Sequence, residues 1–164
     1  MEKVINPARL YLLCGKIGSG KSTLAHQLAE RHNALLISED DWLSTLFAGR
    51  QNTLEQYIEN SARLRQVLQS HIENLLGKGV NVVLDFPLNT PTLRAWGKSI
   101  AENADREHQL HFPNVPDDVC LQRLKLRNES GSHAFQTTEQ QYFLISSYFV
   151  PPHEQEGLKV IEYV

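Results

Sequence analysis

Cysteine is scarce in this chain. Cys14 and Cys120 are the only two among 164 residues, and they form no C-x-x-C pair. That excludes a disulfide scaffold and a thiolate zinc site, and it predicts two buried thiols in a reducing compartment. No apolar run approaches the roughly 20 residues needed to cross a bilayer. The first seven residues carry no signal-peptide pattern, so a cytoplasmic location is expected and no membrane partner. Basic excess is missing too. Sixteen Lys and Arg stand against nineteen Asp and Glu, a net charge of -3. The electrostatic footprint of a nucleic-acid binder is therefore absent, and no nucleic-acid partner is expected. There is no His-Glu-x-x-His. Three-residue spacing puts His108 and His111 on opposite faces of a strand, so the seven histidines suggest no metal site. No internal repeat or low-complexity tract occurs.

The length suits a single domain, 1–164, large enough to bury a core without disulfides. Short apolar runs at 9–14, 34–37, 81–86, 109–112 and 159–164 read as strands. Helical patterns at 21–31, 54–76, 92–101, 117–128 and 138–149 separate them. Such alternation implies an α/β fold, a five-stranded parallel sheet with helices on both faces. Val82, Val83 and Leu84 are consecutive apolar residues, as expected of a strand covered on both sides. The stretch 130–138 is rich in Gly, Ser and Thr and reads as a mobile loop.

Gly15, Gly20, Lys21 and Ser22 fit G-x-x-x-x-G-K-[ST]. Chance produces that pattern in about one chain of this size in 200. An apolar strand before it and an amphipathic helix after it supply the context that the motif requires. The physical demand is strict. Backbone N–H groups can surround a polyphosphate only where the chain turns inward without a Cβ in the way, which Gly15, Gly18 and Gly20 allow. The next helix aims its positive end at the phosphates. Lys21 reaches the β- and γ-phosphates, and the Ser22 hydroxyl ligates Mg²⁺. The nucleotide-binding run is thus Gly15, Lys16, Ile17, Gly18, Ser19, Gly20, Lys21, Ser22 and Thr23.

No Asn-Lys-x-Asp guanine signature is present, and Asp85 is followed by Phe86 rather than the Glu of an AAA+ motor. The stretches GKIGSGKST, ISEDDWLSTLF, VVLDFPLNTPTLR and RLKLRN resemble successive motifs of small P-loop kinases. The nearest group contains zeta toxins, chloramphenicol phosphotransferase and gluconate-kinase-like enzymes. The resemblance covers about residues 9 to 130. It implies an adenylate-kinase-like sheet, ATP, Mg²⁺ and phosphoryl transfer to a small acceptor.

Asp40 lies past the second strand, at the sheet end where open α/β sheets bind ligands. In similar kinases an Asp here receives the acceptor's proton. Ser38, Asp40 or Asp41 could instead cap a helix over 42–47, and Asp41 could substitute for Asp40. Asp85 ends its strand and is the candidate Mg²⁺ ligand with Ser22; Asp40 and Asp85 could exchange roles. Arg123 and Arg127 are four apart and share a helix face. In adenylate-kinase-like enzymes such arginines belong to a lid, here 123–138, and neutralise the transferring phosphoryl group; the alternative is a solvated basic face. Arg94 either touches acceptor or phosphate or only pairs with a helix carboxylate. Trp42 and Phe47 could wall the acceptor pocket or pack in the core. Gln51, Tyr57, Arg63 and Arg65 fall in the segment expected to shape that pocket.

The expected activity is therefore ATP- and Mg²⁺-dependent phosphorylation of a small-molecule hydroxyl. The rival readings are a nucleotide-binding regulator with a protein partner, a nucleic-acid-end kinase and a toxin-like sugar-nucleotide kinase.

Overall fold

The computed structural model describes residues 7–131 and 137–164. Residues 132–136 of the expected lid loop and the first six residues lie outside them. Strands β1 (Arg9–Leu13), β2 (Leu35–Ser38), β3 (Val82–Asp85), β4 (Glu107–Pro113) and β5 (Val160–Tyr163) form one parallel sheet in the order β2-β3-β1-β4-β5. Alternation along β1 divides its side chains. Leu10 and Leu12 join the larger core cluster with Val82 and Leu84, while Tyr11 and Leu13 meet Val83 on the other face. Helix α1 (Lys21–Arg31) covers that second face through Ala25 and Leu28. Helices α3 (Leu54–Gly77) and α4 (Pro91–Asn103) cover the first. The five strands and their parallel sense are those read from the sequence.

Caps decide where several helices begin. Helix α2 (Glu39–Leu46) starts three residues earlier than the sequence reading because Ser38 is its N-cap, its hydroxyl accepting the Asp41 N–H at 3.3 Å. Thr53 and Thr90 cap α3 and α4 in the same way. Helix α1 has no side-chain cap. Its N-cap is Gly20, at φ +91, so its first N–H groups are left for an outside acceptor. Helix α5 (Asp117–Ser130) follows β4, and α6 (Glu139–Ser146), shorter than expected, follows α5.

A 3-10 turn, Glu154–Glu156, then leads into β5. It is pinned by Arg94, which is 0% exposed. The Arg94 guanidinium donates to both carboxylate oxygens of Glu156, at 2.8 and 3.1 Å, and to the carbonyls of Leu88 and Pro151. Arg94 is thus a structural cation paired with a carboxylate, the second of its two sequence readings. No helix among the described residues is long and apolar enough to cross a membrane.

Candidate functional site

The parallel register places Ser38 beside Asp85 at the carboxyl ends of β2 and β3. The phosphate-type loop leaves β1, the next strand over. Three candidates from separate segments therefore converge at one sheet end. Gly18 sits at φ +78, and a Cβ there would fall 2.6 Å from the Cys120 carbonyl oxygen, so α5 presses on the loop where only glycine fits. The Lys21 Nζ folds back onto the loop and donates to the carbonyls of Gly15 (2.7 Å) and Lys16 (3.2 Å). Burial pulls its pKa down, and the charges of Asp85 and Asp40 push it back up. Asp85 is raised by burial, while the Ser22 hydroxyl and Lys21 hold it down. Lys21, Ser22, Asp40 and Asp85 are thus one electrostatic cluster.

The capping question at α2 resolves here. Ser38 is the cap, which leaves the Asp40 side chain exposed at the mouth of the site. Ser22 and Asp85 offer hard oxygen donors of the kind Mg²⁺ accepts beside nucleotide phosphates. Among the described residues no cluster of three or more His, Cys, Asp or Glu could cage a metal. Burial raises the Cys14 thiol to about 12, which leaves it unreactive.

Arg123 Nη1 donates to the Gly18 carbonyl at 3.3 Å, so this arginine meets the loop. Arg127 lies one turn on; its Nε is buried and has no hydrogen-bond partner among the described residues. The Lys16 Nζ pairs with Asp117 at 2.9 Å, and Asp117 also accepts from the Tyr142 hydroxyl at 2.6 Å. Ile17 packs against the cluster of Cys120, Leu124 and Tyr142. Ser19 is buried, and Thr23 is exposed on α1.

Two candidates, Asn89 and Asp117, escaped the sequence reading, and Glu39 was read only as a member of the acidic cluster with Asp40 and Asp41. Asn89 clamps the loop entrance. Its Oδ1 accepts the Gly15 N–H at 2.8 Å, and its Nδ2 donates to the Gly15 carbonyl at 3.0 Å. Its own carbonyl accepts the Val150 N–H, which links the loop to the segment after α6. Asn89→Ala removes two hydrogen bonds of about 0.5–1.5 kcal/mol each from the loop that must hold the nucleotide. ADP affinity measured by calorimetry should fall roughly 5- to 100-fold, and an unchanged Kd would remove Asn89 from the site. Glu39 lies next to Asp40 in the chain but points inward, 2% exposed. It borders a cavity of about 130 Å³ with Tyr57, Ser61, Arg65, Phe86 and Leu93. Of the residues expected to shape an acceptor pocket, Tyr57 and Arg65 line this cavity, whereas Arg63 pairs with Glu59 in solvent. Trp42 is 39% exposed and Phe47 packs on the main core; neither lines this cavity. A larger cavity, about 720 Å³, opens beside Lys16 between the end of β4 and residues 151–154. It includes none of Ser22, Asp40 or Asp85, so size alone does not select the reacting site.

The chain is 35% identical over 134 residues to an uncharacterized protein of Mycobacterium tuberculosis (strain ATCC 25618 / H37Rv), and to one of Mycobacterium bovis. The match takes in 77% of this chain but only 27% of those relatives, so it spans about a quarter of their length. Among solved structures, a proposed kinase from Chloroflexus aurantiacus superposes with a TM-score of 0.73 at 20% identity, covering 96% of this chain and 89% of that one. Chaetomium thermophilum Kti12, in complex with ADP-AlF3, gives 0.68 at 18% identity (94% and 89%). A gluconokinase from Sinorhizobium meliloti 1021 gives 0.60 at 16% identity (95% and 82%). These likenesses establish the α/β P-loop fold. The family model described as an AAA domain matches residues 10–152, most of the chain, and the protein belongs to that family.

Proposed function

We propose that this protein is a kinase that transfers the γ-phosphate of ATP, with Mg²⁺, to a hydroxyl of a small molecule in the cytoplasm. The observation that carries this reading is the convergence of Asp40 and Asp85 on Lys21, with their chain neighbours Glu39 and Phe86 lining a separate, partly polar cavity. Mg²⁺ supplies charge neutralisation between the phosphates when bound. The loop amides and the uncapped start of α1 hold the phosphates, and Lys21 leaves the Gly15 carbonyl to reach them. Ser22 and Asp85 hold the cation. Asp40 accepts the proton of the acceptor hydroxyl. Arg127, joined by Arg123, supports charge spreading over the transferred group.

The decisive experiment incubates a pool of sugars, nucleosides and antibiotics with Mg·ATP and the protein, followed by mass spectrometry. One compound should gain a phosphate, and Lys21→Ala should abolish the product. ATP binding without any product would instead favour a nucleotide-driven regulator. A nucleic-acid-end kinase is disfavoured by the net charge of -3.

A further inference from the structure

Glu39 and Phe86 both wall the 130 Å³ cavity, and each is the chain neighbour of a reacting carboxylate, Asp40 or Asp85. The segments that line the cavity are therefore the ones that carry both carboxylates. The Glu39 carboxylate accepts from the Tyr57 hydroxyl and, at 2.8 Å, from the Ser61 hydroxyl. The Ser61 oxygen in turn accepts from Arg65 Nη1 at 2.6 Å. The Arg65 guanidinium rests 5.9 Å from the Trp96 ring centroid, which fixes its plane. A fixed anion and a fixed cation thus face one small space, joined through a single hydroxyl.

That arrangement discriminates by charge. An acidic moiety would meet the buried Glu39 carboxylate, where a low dielectric magnifies repulsion. An ammonium would meet Arg65. A hydroxyl suits both walls, because it donates to a carboxylate and accepts from a guanidinium. Phe86, Leu88 and Leu93 complete the wall with apolar surface suited to the C–H face of a saturated ring. The volume admits one such ring.

We propose that this cavity binds a neutral, polyhydroxylated ring of the acceptor, and that Glu39 and Arg65 set the specificity against acidic and amino acceptors. The proposal rests on the kinase reading for the transfer step, but the binding preference can be measured without it.

The test is saturation-transfer NMR on the full chain with Mg·AMPPNP, using glucose and ribose as neutral probes, gluconate as the acid and glucosamine as the amine. A neutral ring should bind at least about tenfold more tightly than either charged probe. Leu93→Trp, which fills the cavity, should erase the signal. Glu39→Gln should raise the affinity for gluconate relative to glucose by about tenfold. ADP affinity and thermal midpoint, measured for each variant, separate these effects from misfolding. Preference for gluconate or glucosamine, absence of neutral-ring binding at roughly 10 mM, or a signal that survives Leu93→Trp would each overturn the proposal. Neutral binding with no phosphate transferred from ATP would sink the kinase reading alone. A phosphorylated acid would sink this inference alone.

Discussion

Arg94→Leu should destabilise the protein by about 3–5 kcal/mol, the loss expected when one partner of a buried ion pair is removed. For a chain of this size that corresponds to a fall in thermal midpoint of roughly 6–20 °C. The reason is in the contacts. Arg94 is fully buried and the Glu156 side chain is only 10% exposed, so the variant leaves a carboxylate facing an apolar wall. The Leu88 and Pro151 carbonyls lose a donor in the same step. Replacing both partners with apolar residues of similar volume should recover most of the loss, because no charge is then stranded. The pair also carries a pH signature. Burial pushes the Glu156 carboxyl up, but the Arg94 bonds and charge and the His153 N–H more than offset this and leave it below its ordinary 4.5. A depressed carboxylate contributes stability in full above its unfolded pKa and loses it as pH falls through the folded one. Wild type and Arg94→Leu should therefore converge in stability as the medium is acidified below about pH 4.5, as urea unfolding across a pH series would show. A constant gap down to strong acid would mean that the arginine acts through packing alone.

Arg94 also shows where sequence reading stops. The phosphate loop was legible because its chemistry is local: glycines, a lysine and a hydroxyl within nine residues, between a strand and a helix. The sheet was legible because period-2 and consecutive apolar runs alternate with helical ones. The role of Arg94 was not, since Glu156 lies 62 residues away and nothing near either residue announces the other. Asn89 escaped for the same reason, its clamp on Gly15 spanning 74 positions. Glu39 is different. Its signal was present but hidden by a misplaced helix start. With the helix begun at 42, Glu39 falls before it and no face is set for it. With Ser38 as the cap, Glu39 and Leu43 are four apart on the buried face, and the carboxylate must point inward. One cap residue thus separates two adjacent carboxylates into an inward, buried one and an outward, exposed one.

That separation makes the prediction for Asp40 sharp. Under the proposed kinase mechanism, Asp40→Asn should lower kcat about 10²- to 10⁴-fold, the usual contribution of a general base. The KM for ATP should change little, because Asp40 lies past β2 and not in the phosphate loop. Asp85→Asn should give a different pattern. Its carboxylate sits by Ser22 and Lys21, so the variant should need far more Mg²⁺ to reach half-maximal rate. The two substitutions thus assign the two roles by kinetics, and an exchanged pattern would reverse them. Acid adds a second discriminant. Burial raises Asp85 above the ordinary carboxyl value, with Ser22 and Lys21 opposing. As pH falls through that raised value the carboxyl takes up a proton and loses its hold on the cation. Activity limited by Asp85 should then return on adding Mg²⁺ at low pH, since metal competes with the proton for the same oxygens. Activity limited by a protonated base would not return, because added metal offers no acceptor for the hydroxyl proton. Rate measured against Mg²⁺ concentration at two pH values therefore distinguishes a metal-holding carboxylate from a proton-accepting one within the same cluster.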